Sequence, residues 1–200
     1  MEMTSQILNP IKILTPAYFL IVGLILAVYL INYSPFHFGK KDGVKLGETD
    51  FTQDMYGWSI IGKSFKQIAI REETKGTMLP GSDLISFRWF PGAHLDFYVA
   101  YPAGRKLFLI GTLQETHKYA WVNEQRGGLI PERDYYYIAP SNYFRDPTET
   151  FGNYFKQIEV SDTIKVERGG ETVRYAFIYR LKGYRGNFKT PIKPDNIRND

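Results

Sequence analysis

Cysteine is missing altogether from the 200 residues, and histidine appears only three times. Without a thiol the chain has no disulfide, no thiolate nucleophile and no zinc–thiolate centre, and its redox compartment is left open. A metal site built from what remains would need His94, Asp96 and His117 to converge. His94 and Asp96 lie two apart on an expected helix and so face different ways, which argues against one. The phosphate-cradling loops G-x-G-x-x-G and G-x-x-x-x-G-K-S/T are absent, as is the nucleophile elbow G-x-S-x-G. Nor is there a basic stripe: much of the positive charge behind the net +4 lies after Lys182 rather than on a periodic face, and no nucleic-acid partner is expected. No catalytic residue, cofactor or metal can be named from the residues.

What the chain has in excess is rings: 15 Tyr and 14 Phe raise the aromatic share to 16%. Such side chains suit membrane interfaces, sugar-binding faces and large cores alike. A hydrophobic share of 44% against 23% charged suffices for a packed core and argues against disorder. The longest apolar run, Leu14 to Tyr33, carries no charge and has the roughly 20 residues a helix needs to cross the hydrocarbon core. Pro16 falls in its first turn, where a missing N–H breaks no bond. Tyr18, Tyr29 and Tyr33 sit towards the ends, as interfacial anchors do. A cleaved leader would need a small-residue site after the run, which Tyr29 to Phe36 does not provide. A core helix would show a polar face. One retained transmembrane helix over about 14–33 is expected, within an N-terminal segment 1–36. Lys12 on one flank against Lys40, Lys41 and Lys45 on the other gives the following domain a slight cytoplasmic bias. Asn32-Tyr-Ser34 matches a glycosylation sequon but abuts the bilayer and reads as accidental.

A polar linker, 37–49, precedes an extramembrane domain at 50–183. Met55, Trp58, Ile61, Gly62, Phe65, Ile68 and Ala69 recur at helical steps and predict an amphipathic helix, with Asp50 or Thr52 as its N-cap. Leu84–Arg88 reads as a strand, Pro91 to Pro102 as a helix and Lys106–Ile110 as a strand, which together form a βαβ unit with a parallel pair. Tyr119–Val122 is expected as a short strand and Tyr135–Ala139 as a central one. Asp146 caps a short helix to Phe155. Thr163–Glu167 and Thr172–Leu181 alternate around Arg168-Gly-Gly-Glu171, an antiparallel hairpin signal. The fold class is therefore α/β: one N-terminal transmembrane helix, then a mixed sheet of βαβ units closed by a C-terminal hairpin, and a loose basic tail at 184–200.

Asp54, Asp96 and Glu115 fall near element ends, where such folds place ligand groups, although caps and solvated loops explain them as well. His117-Lys-Tyr-Ala-Trp-Val-Asn123 mixes hydrogen-bonding groups with flat rings, a combination suited to a sugar or lipid-phosphate headgroup. Arg88 and Lys118 supply charged donors for a phosphate. The competing reading packs Tyr119 and Trp121 into the core.

Asp54-Met-Tyr-Gly-Trp58, Ser86-Phe-Arg-Trp-Phe90, His94-Leu-Asp-Phe-Tyr98, His117-Lys-Tyr-Ala-Trp121 and Asp134-Tyr-Tyr-Tyr-Ile138 follow one another in a recognisable order. In that order and spacing, residues 14–183 resemble the last membrane helix and C-terminal domain of bacterial multi-spanning glycosyltransferases of the protein O-mannosyltransferase and aminoarabinose transferase group. The resemblance implies a polyprenyl-phosphate sugar donor, membrane lipid and the remaining spans of such an enzyme as partners, and an inner-membrane protein whose C-terminal domain is extracytoplasmic. It also implies catalytic acids in an early loop between further spans, which nothing here matches, so no catalytic role is carried over. The expected function is that of an accessory C-terminal domain, with Arg88, His94, His117, Lys118 and Trp121 as headgroup-binding candidates. The alternatives are a membrane-anchored, non-catalytic module docking on a separate membrane enzyme, and a small tethered α/β enzyme.

Overall fold

A computed structural model describes residues 10–34 and 38–189. Helix α1 runs Pro10–Tyr33. Its Leu14–Tyr33 portion is long and apolar enough to cross a membrane, and none of it is buried in the protein. The stretch 38–49, read from sequence as a linker, is a compact loop. Lys40 and Gly47 tie it back on itself through N–H donation from Lys40 to the Glu48 carbonyl and from Gly47 to the Lys40 carbonyl. Ser141 Oγ pins it to the domain by donating to the Leu46 carbonyl at 2.6 Å.

The domain is built on a five-stranded sheet in the order β2-β1-β3-β5-β4. β1 (Asp83–Ser86), β2 (Leu107–Leu109) and β3 (Tyr135–Pro140) are parallel, while β4 (Phe155–Arg168) and β5 (Glu171–Tyr184) form an antiparallel hairpin joined to β3. The mixed α/β sheet expected from the sequence is thus present. Gly169 and Gly170 take φ of +62° and +86° at the hairpin turn, a left-handed pair that side chains with a Cβ resist.

Both faces of the parallel strands are covered, which is why they read as unbroken apolar runs. Alternation sends Leu84, Tyr136 and Ile138 to one core, with Trp58, Ile61, Phe65, Leu95 and Val99. Ile85, Tyr135, Tyr137 and Ala139 go to the other, with Phe108, Phe151 and Phe155. Helix α2 (Trp58–Thr74) buries the expected stripe of Trp58, Ile61, Gly62, Phe65, Ile68 and Ala69. It starts later than the periodicity suggests, so Met55 lies outside it and is 64% exposed. Asp50 does cap, but caps the 3-10 turn Phe51–Gln53, accepting from the Thr52 N–H at 3.0 Å.

The β1–β2 crossover is α3 (Trp89–Leu95) continuing into a π-helical turn, Asp96–Ala100. Short helices α4 (Leu113–Thr116) and α5 (Tyr119–Gln125) follow β2, and α6 (Pro147–Phe151) follows β3. The strand expected at Tyr119–Val122 is corrected: these residues open α5. Four residues are too few to fix a period. Here Asn123 claims the free backbone of Leu109, accepting from its N–H at 3.1 Å and donating to its carbonyl at 2.8 Å, so a helix and not a strand covers that edge. The tail expected to be loose from 184 is docked at its start. Arg185 Nε donates to the Phe155 carbonyl and Phe188 packs on Tyr154; residues 190–200 lie outside the described residues.

Candidate functional site

The strand order turns at β1: the chain leaves it for β2 on one side, and β3 lies on the other. Open parallel sheets bind ligands in the crevice outside the carboxyl ends of strands at such a point. The segments that meet there are Phe87–Phe90 after β1, Ser141–Tyr143 after β3, and Asp54–Trp58 from the loop before α2. Phe90 packs against Tyr143 with ring centroids 5.1 Å apart, and the Tyr143 hydroxyl donates to Asp54 Oδ1 at 2.5 Å. Burial, followed by this bond to Asp54, pushes the Tyr143 hydroxyl well above the ordinary tyrosine range, so it stays protonated and donates.

Beneath the crevice is a stack of planar groups. The guanidinium of Arg174 lies over Trp58 at 4.3 Å, Trp58 stacks on His94 at 4.9 Å with 9° between planes, and His94 stacks with Tyr98 at 5.9 Å. Arg174 is fully buried and donates to the carbonyls of Gln53 and Tyr56, which orders the Asp54–Trp58 loop from below. Burial pushes Arg174 down to about 10. Burial, aided by the Arg174 charge, also lowers His94 below the ordinary histidine value, so its imidazole is neutral at pH 7.

The five residues singled out from the sequence fall in two groups. Arg88, His117, Lys118 and Trp121 are exposed; His94 is half-buried in the stack. Ring contacts run from His117 to Trp89 (5.5 Å), Trp89 to Phe90 (5.8 Å) and Phe90 to His94 (5.0 Å), so both histidines belong to one aromatic chain along the carboxyl edge. Lys118 and Trp121 are neighbours at the start of α5, three residues apart on one face. Arg88 lies near enough for its charge to act on Tyr143. The carboxylates that looked like caps separate cleanly. Glu115 closes a capping box with Thr112, and Asp96 pairs with Arg126 at 2.8 Å while accepting from Tyr119. Asp54 lines a small cavity at this edge with Asn142 and Tyr143, and Glu115, 3.6 Å from Arg145, lines a second one beside Phe87. Among the described residues no group of three His, Cys, Asp or Glu side chains is placed to hold a metal.

The hairpin sets where this edge points. β5 runs against β3, with Ala176 opposite Pro140, so residues 171–175 and the turn continue past the carboxyl end of β3, by roughly 17 Å at about 3.4 Å per residue. At the tip, Arg168 Nη1 donates to the carbonyl of Ile31, near the end of α1, at 3.1 Å. The apolar helix and the carboxyl edge of the parallel strands therefore share one end of the domain.

No family model, characterised protein or solved structure matches the chain.

Tyr143, Arg174, Trp89 and Phe90 were not among the residues picked from sequence. Trp89 and Phe90 adjoin Arg88, and a strand end followed by two rings was signal enough to include them. Arg174 sits in an alternating strand at a position of the buried face, and an arginine there is a cue to a built interior site. Nothing local marks Tyr143, whose partner Asp54 is 89 residues away.

Proposed function

We propose that the chain is a membrane-anchored, non-catalytic domain that recognises a lipid-linked phosphate-sugar headgroup at the bilayer surface. The class is that of an accessory C-terminal domain of a polyprenyl-phosphate-sugar glycosyltransferase, extracytoplasmic on the inner membrane. One observation carries the reading: the Arg168–Ile31 contact puts the end of the apolar helix on the same side as the switch-point edge. A ligand held in a bilayer by its lipid presents its headgroup to that side. The edge offers what such a headgroup needs, namely Arg88 and Lys118 as donors to phosphate and the rings of Trp89, His117 and Trp121 as faces for a sugar. Further support is that four of the five segments in the family-like order, scattered from Asp54 to Trp121, contribute to this one edge. The sugar-transferring chemistry itself is assigned to other spans, because the resemblance places the catalytic acids in an early loop that nothing in this sequence matches.

The test is a liposome titration of full-length protein with a polyprenyl-phosphate sugar. Arg88→Ala combined with Lys118→Ala removes two charge-assisted donors and is expected to weaken binding by roughly tenfold or more, with an unchanged unfolding midpoint. Equal binding by parent and variant overturns the proposal. A second reading, docking on a separate membrane enzyme, is favoured by the exposure of Leu113, Trp89 and Trp121 at 43–46%. Co-purification with a multi-spanning partner, without lipid–sugar affinity, selects it.

A further inference from the structure

The loops beside the end of α1 expose rings where a water-facing loop would not. Phe38 and Phe51 are 54% and 70% exposed, and their centroids are 5.6 Å apart. Met55, four residues beyond Phe51, is 64% exposed. The exposure of Phe51 is imposed by its neighbours. Asp50 and Thr52, on either side, are buried at 2% and 6%. Thr52 Oγ1 donates to Asp50 Oδ1 and accepts from Arg168 Nη1 at 2.9 Å, and Arg168 Nη2 lies 3.6 Å from Asp50 Oδ2. The same Nη1 donates to the Ile31 carbonyl. A single buried guanidinium thus holds both the 3-10 turn that carries Phe51 and the last turns of the apolar helix, and the turn and α1 are in direct contact. With 50 and 52 turned inward on this clamp, 51 is turned outward beside the helix end.

We infer that Phe38, Phe51 and Met55 form a wedge that enters the interfacial layer of the bilayer next to α1, a second membrane contact that fixes the depth and tilt of the domain. The inference rests on α1 spanning the membrane. Its occupant is lipid because the wedge is continuous with a surface that lipid already surrounds: α1 is exposed from Leu14 to Leu30, and Tyr29 and Tyr33 mark the interface on the same helix end. Phenylalanine is at home in that layer, with its ring sheltered and no polar group left unpaired. Lys40, Lys41 and Lys45 lie in the same loop and suit headgroup phosphates, with Lys40 and Lys45 also meeting Glu48. The wedge places the loop before α2 on the lipid, so the Asp54–Trp58 segment lining the switch-point crevice is held at headgroup level.

The lack of cysteine makes the test clean, since each introduced thiol takes one label. Full-length protein carrying Met55→Cys, or as a control Tyr101→Cys at the opposite end of the domain, is spin-labelled and reconstituted in neutral and in anionic vesicles. The collision rate with oxygen, which concentrates in lipid, is compared with that of a water-soluble nickel chelate. The expected result is an oxygen-to-nickel ratio severalfold higher at 55 than at 101 in both vesicle types, and a fall of the ratio at 55 to the level of 101 when Phe38→Ser and Phe51→Ser are added. A ratio at 55 equal to that at 101 in the parent overturns the wedge, as does shielding from both reagents, which would mean that protein covers the face. Extraction by alkaline carbonate separates the two ideas. If the doubly substituted protein stays in the membrane while 55 becomes wet, anchor and wedge are both upheld. If the parent is extracted, the anchor itself fails and the wedge with it.

Discussion

His94 shows how a residue that looks chemical can be structural first. Its ring lies between Trp58 and Tyr98 in a stack topped by a buried arginine, and both burial and the Arg174 charge work against a second proton. In the unfolded chain the same imidazole titrates at its ordinary value of 6.5. Between the lowered native value and 6.5 the unfolded state binds more protons, so stability is complete above that window and falls as pH drops through it. His94→Phe keeps a ring in the stack and removes the proton site. On acidification from about pH 7.5 to about pH 5, the parent is expected to lose more of its thermal midpoint than the variant. Parallel melting curves across that range would sink the argument. At this scale the sequence pointed to part of the proposed edge. Arg88, His117, Lys118 and Trp121 were legible because a charged or hydrogen-bonding group beside a ring stands out locally. Asp54 was seen but could not be told from a cap, because its partner comes from the far end of β3. Arg174 could be read from its strand position as a buried cation, but its surroundings could not, because its stacking partner Trp58 and the Gln53 and Tyr56 carbonyls come from a distant segment.

At the scale of elements, period and punctuation were reliable wherever a segment was long. The α2 stripe repeats over three turns, and Gly-Gly bounded by alternating runs admits few structures other than a hairpin. The failure at Tyr119–Val122 has the opposite cause, a run too short to carry a period and decided by the Asn123 bonds to Leu109. The stripe also contains a glycine whose reason is visible only in the packing. A Cβ at Gly62 would stand 2.0 Å from the Tyr98 carbonyl oxygen, which belongs to the π-helical turn crossing α2. That oxygen is backbone and cannot swing aside, so Gly62→Ala must push the two helices apart. A loss of about 3 kcal/mol is expected from such overpacking, read by urea unfolding of the detergent-solubilised chain; a loss below about 1 kcal/mol would show that the crossing is soft.

For the molecule as a whole, the decisive quantity is the angle between α1 and the sheet, and no local pattern encodes it. It is set where Arg168, from the hairpin tip, meets the Ile31 carbonyl, Thr52 and Asp50 in a space closed to solvent. A cation at a helix C-terminus also complements the partial negative charge of its last carbonyls. Replacing it by Met strands a buried carboxylate, and breaking such a pair costs about 3–5 kcal/mol when nothing else compensates. Asp50 keeps its bonds from Thr52 and Gln53, so the damage is expected to stay local. In lipid nanodiscs, Arg168→Met should accelerate amide exchange at 30–34 and 50–56 while β1 and β3 exchange as in the parent. Asp50→Asn added to it should restore part of the protection by removing the stranded charge. Unchanged exchange at 30–34 would mean that the helix end is held by something other than this clamp, and the orientation of the carboxyl edge relative to α1 would then be set elsewhere. Equal loss throughout the sheet would mean that hairpin and core fold as one unit, with Arg168 a keystone of the domain rather than its link to α1.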